Sequence, residues 1–139
     1  MAKAKTAIVI VILALLQVSW ATARKHGGGS GGTPAVMTVN GFEEGEEGGG
    51  AAACDGHFHS DDDLIVALSS QWYAGGKRCH KNIRITSVDT GRTVAAQVVD
   101  ECDTHGGCKN NVVDSSRAVW KKLGLDTNVG VVHITWSDA

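Results

Sequence analysis

The sequence predicts a mainly β protein built as one small, disulfide-stabilised barrel. Three observations carry this: five or six short strand-like segments bounded by turn residues, a single convincing helix with no βαβ alternation, and four cysteines downstream of a signal-peptide pattern. Residues 1–23 have the three parts such a peptide needs. Lys3 and Lys5 give a positive start, Ala7 to Leu16 is an unbroken apolar run, and Ala21-Thr22-Ala23 is a small-x-small cleavage site. The apolar run falls short of the roughly 20 residues that span a bilayer. The expected product is therefore secreted, with no membrane association, into an oxidising compartment where Cys54, Cys79, Cys102 and Cys108 pair as two disulfides. Four cysteines allow three pairings. Cys102 and Cys108 are near enough to close a local loop, but each could equally tie to Cys54 or Cys79 across the fold.

Cleavage removes Lys3 and Lys5 and no acidic residue, taking the formal charge from −2 to −4. An acidic chain does not suit a nucleic-acid binder, whose affinity comes from neutralising phosphates. It also argues against docking on anionic lipid. Residues 24–34 read as a flexible leader, because Gly27 to Gly32 offers nothing to pack. Order is expected from Ala35, with a first strand through Asn40. Gly41 to Ala53 carries Glu43, Glu44, Glu46 and Glu47 and reads as a solvated, mobile acidic loop. Leu64 to Leu68 is a short buried strand. Asn82 to Thr86 and Thr93 to Val98 alternate apolar and polar around the turn Asp89-Thr90-Gly91, which predicts a hairpin. Val129 to Trp136 is a last strand with Val132, Ile134 and Trp136 on one face. Between these, a helix starts at a cap on Asp114 or Ser115, buries Val119 and Leu123, and ends at Gly124.

The segment Val98-Val99-Asp100-Glu101-Cys102-Asp103 runs a hydrophobic strand straight into three carboxylates. Crowding and burial there would raise a carboxyl pKa, as general acid catalysis requires, and Asp114 would be the second acid of a glycosidase pair. The competing reading makes Asp114 a helix cap and Asp100 a loop cap. Trp72-Tyr73, in a loop before Gly75-Gly76, reads either as a platform for a sugar or protein partner or as a plug over one end of the barrel. Lys77, Arg78, Lys81 and Arg84 form a basic cluster whose simplest role is a solvated face. His57-Phe58-His59 before Asp61-Asp62-Asp63 matches no metal-ligand spacing, and no cofactor motif is present, so neither a metal nor a cofactor is expected.

Six segments in order place the chain in a family. P-A-V-M-T-V-N-G-F-E at Pro34 to Glu43, C-D-G-H-F-H-S-D-D at Cys54 to Asp62 and V-A-L-S-S-Q-W-Y-A-G-G-K-R-C at Val66 to Cys79 are the first three. V-V-D-E-C-D at Val98 to Asp103, N-N-V-V-D-S-S-R-A-V-W at Asn110 to Trp120 and I-T-W-S-D at Ile134 to Asp138 complete them. Over residues 35–139 the chain resembles kiwellins and the related plant ripening-related proteins. That resemblance implies a six-stranded double-psi β-barrel with one or two short helices, similar to barwin, expansin domain 1 and related endoglucanases. It implies a secreted protein of the apoplast or cell wall that is not an enzyme and acts in defence by binding an extracellular protein, including pathogen enzymes. Contacts are expected through Trp72, Tyr73, Lys77, Arg78 and the acidic loop through Glu47. The alternatives are a cell-wall glycan-binding or glycan-hydrolysing barrel using Asp100 and Asp114, and a structural wall or fruit protein. Two features depart from typical members. Cys108 runs directly into Lys109-Asn110-Asn111 where they carry a longer cysteine-bearing loop, and the stretch before Ala35 has no cysteine.

Overall fold

Six strands close into a ring in the computed structural model, which describes residues 31–139. The expected signal peptide at residues 1–23 and most of the expected leader lie outside the described residues. The strands are β1 (Thr33–Val39), β2 (Ile65–Ser69), β3 (Asn82–Ser87), β4 (Thr93–Cys102), β5 (Val112–Ser115) and β6 (Val131–Asp138). Around the barrel their order is β1-β5-β2-β4-β3-β6. Two neighbouring pairs, β1 with β5 and β2 with β4, are parallel, and the other four are antiparallel. A parallel pair cannot be joined by a tight turn, so the chain needs long crossovers. Residues 40–64 form the longest one.

The interior follows from alternation along the strands. Ile83 and Ile85 of β3 and Val132, Ile134 and Trp136 of β6 point inward, with Met37, Val66, Leu68, Val98 and Val113. A one-turn helix α1 (Ser70–Tyr73) and the longer α2 (Arg117–Lys122) cover the ends, and α2 inserts Val119 and Trp120 among the core residues. The indole Nε1 of Trp120 donates to the Thr38 carbonyl at 3.0 Å, so the one polar atom of this buried ring is satisfied.

Several expectations change. The first strand begins at Thr33 rather than Ala35, because Thr33 and Pro34 pair with Trp136 and Thr135 of β6; a proline is tolerated at a strand start, where its missing N–H costs nothing. The last strand starts at Val131, since Val129 ends a 3₁₀ turn. Asp114 and Ser115 do not cap α2. Both belong to β5, and Ser116 is the cap, its hydroxyl accepting from the Val119 amide at 3.4 Å. Pairing of β5 with β1 and β2 carries the strand up to the residue before the cap. Gly124 follows the helix at φ +73°, as expected of a terminating glycine. Trp72 and Tyr73 lie on α1 rather than in a loop.

The acidic crossover is not free. Phe42 and Ala52 are buried against Ile65, Ala67 and Val99, forming a second apolar cluster on the outside of the sheet. The Phe42 amide donates to Asp61 Oδ1 at 2.8 Å, and the Ala52 amide donates to the His57 carbonyl at 2.8 Å. Glu43, Glu44 and Glu47 remain exposed.

The disulfides resolve the pairing as Cys54–Cys79 and Cys102–Cys108, 25 and 6 residues apart in sequence. Loop-closure entropy makes the longer link worth more. Replacing Cys54 and Cys79 by Ser should lower the unfolding free energy by about 3.5 kcal/mol, against about 2.2 kcal/mol for the Cys102–Cys108 pair, as read by urea denaturation.

Candidate functional site

The outward faces of four adjacent strands meet beneath the acidic crossover. Thr38 of β1 pairs with Asp114 of β5, Asp114 pairs with Ala67 of β2, and Ala67 pairs with Asp100 of β4. The last register depends on a β-bulge. Val66 faces Val98, yet Ala67 faces Asp100, so Val99 is the extra residue. Val99 then stays in the outer apolar cluster while Asp100 comes level with Ala67. Two inter-strand steps separate the acids, placing their backbones about 10 Å apart across the small Ala67 side chain.

Ala67, Asp100 and Asp114 line a cleft of about 380 Å³, walled on one side by Asn40, Glu47 and Gly48 and on the other by Glu101, Asp103 and the Cys102–Cys108 disulfide. Five carboxylates border it: Glu47, Asp100, Glu101, Asp103 and Asp114. The sequence-predicted pair Asp100 and Asp114 is thus brought together, with Glu47 of the acidic loop. Asp100 Oδ1 accepts the amides of Ala53 and Glu101, both at 2.8 Å. Burial raises its pKa; those two bonds pull it down, and the charges of Glu101 and Asp55 push it up again. Asp114 Oδ1 accepts the Thr38 hydroxyl at 2.6 Å. Its pKa is also raised, first by burial and then by the charge on Asp100, with the Thr38 bond opposing.

The other predicted contacts lie elsewhere. Tyr73 is buried in the main core, with its hydroxyl 3.4 Å from Cys79 Sγ, so it is a plug and no surface platform. Trp72 is half-buried and packs edge-to-face on Trp136 at 5.1 Å. The Arg78 guanidinium lies over Trp136 and pairs with Asp138, its Nε at 3.0 Å from Oδ1, and it donates to the Trp72 carbonyl at 2.7 Å. Lys77 and Arg78 border a separate depression with Lys81 and Asp138. Of the predicted aromatic and basic contacts, Trp72 and Arg78 therefore form a latch on the C-terminal strand, with no residue in common with the acidic cleft.

Among the described residues, the carboxylates spaced to hold a cation are Glu43, Glu46 and Asp61, not the His57-Phe58-His59 segment. Two of them are engaged with backbone amides. Glu43 Oε2 accepts the Asp61 amide at 3.0 Å, and Asp61 accepts the Phe42 amide. The neighbouring Asp61 carboxyl, ahead of burial, raises the Glu46 pKa. His59 Nε2 lies 2.9 Å from Asp55 Oδ2.

Asp114 makes a test of the cleft. A carboxyl whose folded pKa is raised contributes stability below its unfolded pKa and loses it as pH rises through the folded value. Asn has the same shape and still accepts from Thr38. Asp114→Asn should therefore melt above the parent at pH 7, and the gap should close below about pH 3.9, the ordinary aspartate range. A gap that does not move with pH in calorimetry would show that charge burial is not its source.

A family model described as Kiwellin-1 matches residues 17–139. Ripening-related protein 6 of Oryza sativa subsp. japonica is 56% identical over 167 aligned positions covering all of both chains. Kiwellin of Actinidia chinensis var. chinensis is 52% identical over 117 residues, covering 77% of this chain and 54% of its own. Among solved structures, the apo form of an expansin from Clavibacter michiganensis superposes with a TM-score of 0.62 at 28% identity, covering 77% of this chain and 50% of that one. A mutant of that expansin in complex with cellohexaose gives 0.61 at 27%, with the same coverage of both chains. The ring of six strands is the double-psi β-barrel that the sequence motifs imply.

Proposed function

This chain belongs to the kiwellin and ripening-related family, and from that premise we propose that it is a secreted, non-hydrolytic protein whose acidic cleft captures a basic surface of an extracellular protein. One observation carries the reading: the row Asp114–Ala67–Asp100, bordered by three further carboxylates and by no aromatic side chain. Asp100 and Asp114 are held partly out of water and near each other, so each resists ionisation. A lysine or arginine inserted between them would relieve both effects, giving charge-assisted bonds where desolvation makes them strong. A secreted microbial enzyme is the partner class that fits a defence role.

A second reading keeps the cleft for a neutral glycan, and the cellohexaose complex of the expansin mutant favours it. Sugar recognition, however, draws on flat aromatic faces, and the lining of this cleft offers Ala67, Gly48 and Gly106 instead. Hydrolysis asks for one acid kept protonated and one kept ionised. Here burial moves both carboxyls in the same direction.

The two readings part on one pair of measurements. Apoplastic fluid from infected tissue is passed over the immobilised protein and over Asp100→Asn/Asp114→Asn, and each retained protein is purified and titrated. Basic proteins should bind the parent and lose about tenfold or more in affinity on the double variant, with association slowing as salt rises. Calorimetry with cellohexaose is the counterpart. Binding of that sugar which the double variant abolishes would assign the cleft to glycan and overturn the protein-binding reading.

A further inference from the structure

We propose that a second, basic groove, between the β3–β4 turn and α2, binds a carboxylated glycan chain. It is a groove of about 570 Å³ that shares no lining residue with the acidic cleft. Arg92 stands on one side and Arg117, Lys121 and Lys122 of α2 on the other, above a floor of Leu64 and Ala118. Among the described residues, Asp62 is the sole acid on the rim. Among the described residues, none of the four cations makes an ion pair, and none of their side chains is hydrogen-bonded. They stand unpartnered in a chain whose net charge is −2. Arg78, by contrast, is fully engaged with Asp138 and Trp136.

The groove is a built feature. The Thr90 hydroxyl donates to the Leu123 carbonyl at 2.8 Å and pins the β3–β4 turn to the end of α2. At the other end, Ser116 Oγ donates to the Asp63 carbonyl at 2.6 Å. Gly124 adds a steric condition. A Cβ there would lie 2.6 Å from Arg92 Nη1, so the missing side chain leaves room for the guanidinium beside the helix end. Both walls, and with them the backbones that carry the cations, are therefore held before any ligand arrives.

The spacing selects the ligand class. Arg117 and Lys121 follow one another by a helical turn, about 5.4 Å along the axis, and Arg92 faces α2 across the groove. Charges spread along a trough suit a chain that repeats its anionic groups better than a single phosphate. An arginine fork grips carboxylate in bidentate fashion, as it does phosphate. No aromatic ring lines the groove, so it lacks the stacking platform that single-stranded nucleic acid uses. The choice of a carboxylated glycan as the polyanion rests on the extracellular setting proposed above, whereas the preference for a chain of repeated anionic groups rests on the groove alone.

The test titrates the full-length chain with a long oligogalacturonate, cellohexaose and poly-glutamate by calorimetry at low and physiological salt. Oligogalacturonate should bind, and cellohexaose should not compete for the same site. Arg117→Gln/Lys121→Gln should weaken oligogalacturonate about tenfold or more, and raised salt should do the same. Both positions are exposed and glutamine has similar helix propensity, so the fold is retained; Arg92→Gln, off the helix, repeats the test from the opposite wall. Asp100→Asn/Asp114→Asn should not reduce this binding, so failure of the acidic cleft is scored separately. The proposal is overturned by no binding of oligogalacturonate at low salt, by equal binding to the groove variants, or by poly-glutamate binding as tightly.

Discussion

The arrangement of acidic groups depends on one extra residue in β4, because side chains alternate along a strand and a single insertion exchanges its two faces. Up to Val98 the strand feeds the main core, with Val94, Ala96 and Val98 inward. The bulge then gives two successive buried valines to opposite clusters and leaves Asp100 level with Ala67. Without it, Asp100 would fall out of register with Asp114, and the charged end of β4 would shift by one face. The pairing of β2 supplies the rest. An antiparallel neighbour, β5, and a parallel one, β4, lie on either side of it, so two acids remote from β2 in sequence meet across one alanine.

The crossover that makes parallel pairing feasible also shapes the cleft electrostatically. Its apolar anchors, Phe42 and Ala52, hold it against the outer sheet, and this brings the Ala53 amide onto Asp100. The same cover removes water from Asp100, so the segment opposes its own desolvation with a hydrogen bond. For Asp114 the Thr38 hydroxyl plays that part. In both cases burial outweighs the bond, and the raised pKa values record which effect wins. Such sites are maintained at a cost to stability that the disulfides offset. One of them, Cys102–Cys108, forms part of the cleft wall itself.

Local patterning made the β3–β4 hairpin and the inward face of β6 legible, since Ile83, Ile85, Val132, Ile134 and Trp136 alternate cleanly with exposed or part-exposed neighbours. The family motifs made the barrel legible as a whole. What local reasoning misplaced was decided by contacts between distant residues. Asp114 sits in a sequence that reads as a cap, and only pairing with β1 and β2 makes it a strand residue while Ser116 takes the cap. Tyr73 looks like Trp72 in sequence, but α1 turns it into the core. The acidic loop has the composition of a mobile segment, and two apolar residues in it were enough to fix its course. The basic groove had no local signal at all, because Arg92 reaches α2 only through the Thr90–Leu123 bond.

The contrast between the latch at Arg78 and the two charged recesses separates charges engaged by the fold from charges it leaves unpaired. The motif W-Y-A-G-G-K-R combines aromatic and basic residues, which is also the composition of a binding hot spot. Yet Arg78 uses its fork on Asp138, its face on Trp136 and a further donor on the Trp72 carbonyl, so that side chain is occupied by the fold. Asp138 shows the same engagement from the other side, its pKa lowered first by the bond to Arg78. Among the described residues, the carboxylates at Ala67 and the cations beside α2 have no opposite charge of this kind. Backbone amides and a hydroxyl position the acids without neutralising them, and a pinned turn sets the backbone that carries Arg92 beside α2. On the functions proposed for them, the opposite signs of the two recesses suit two different partners.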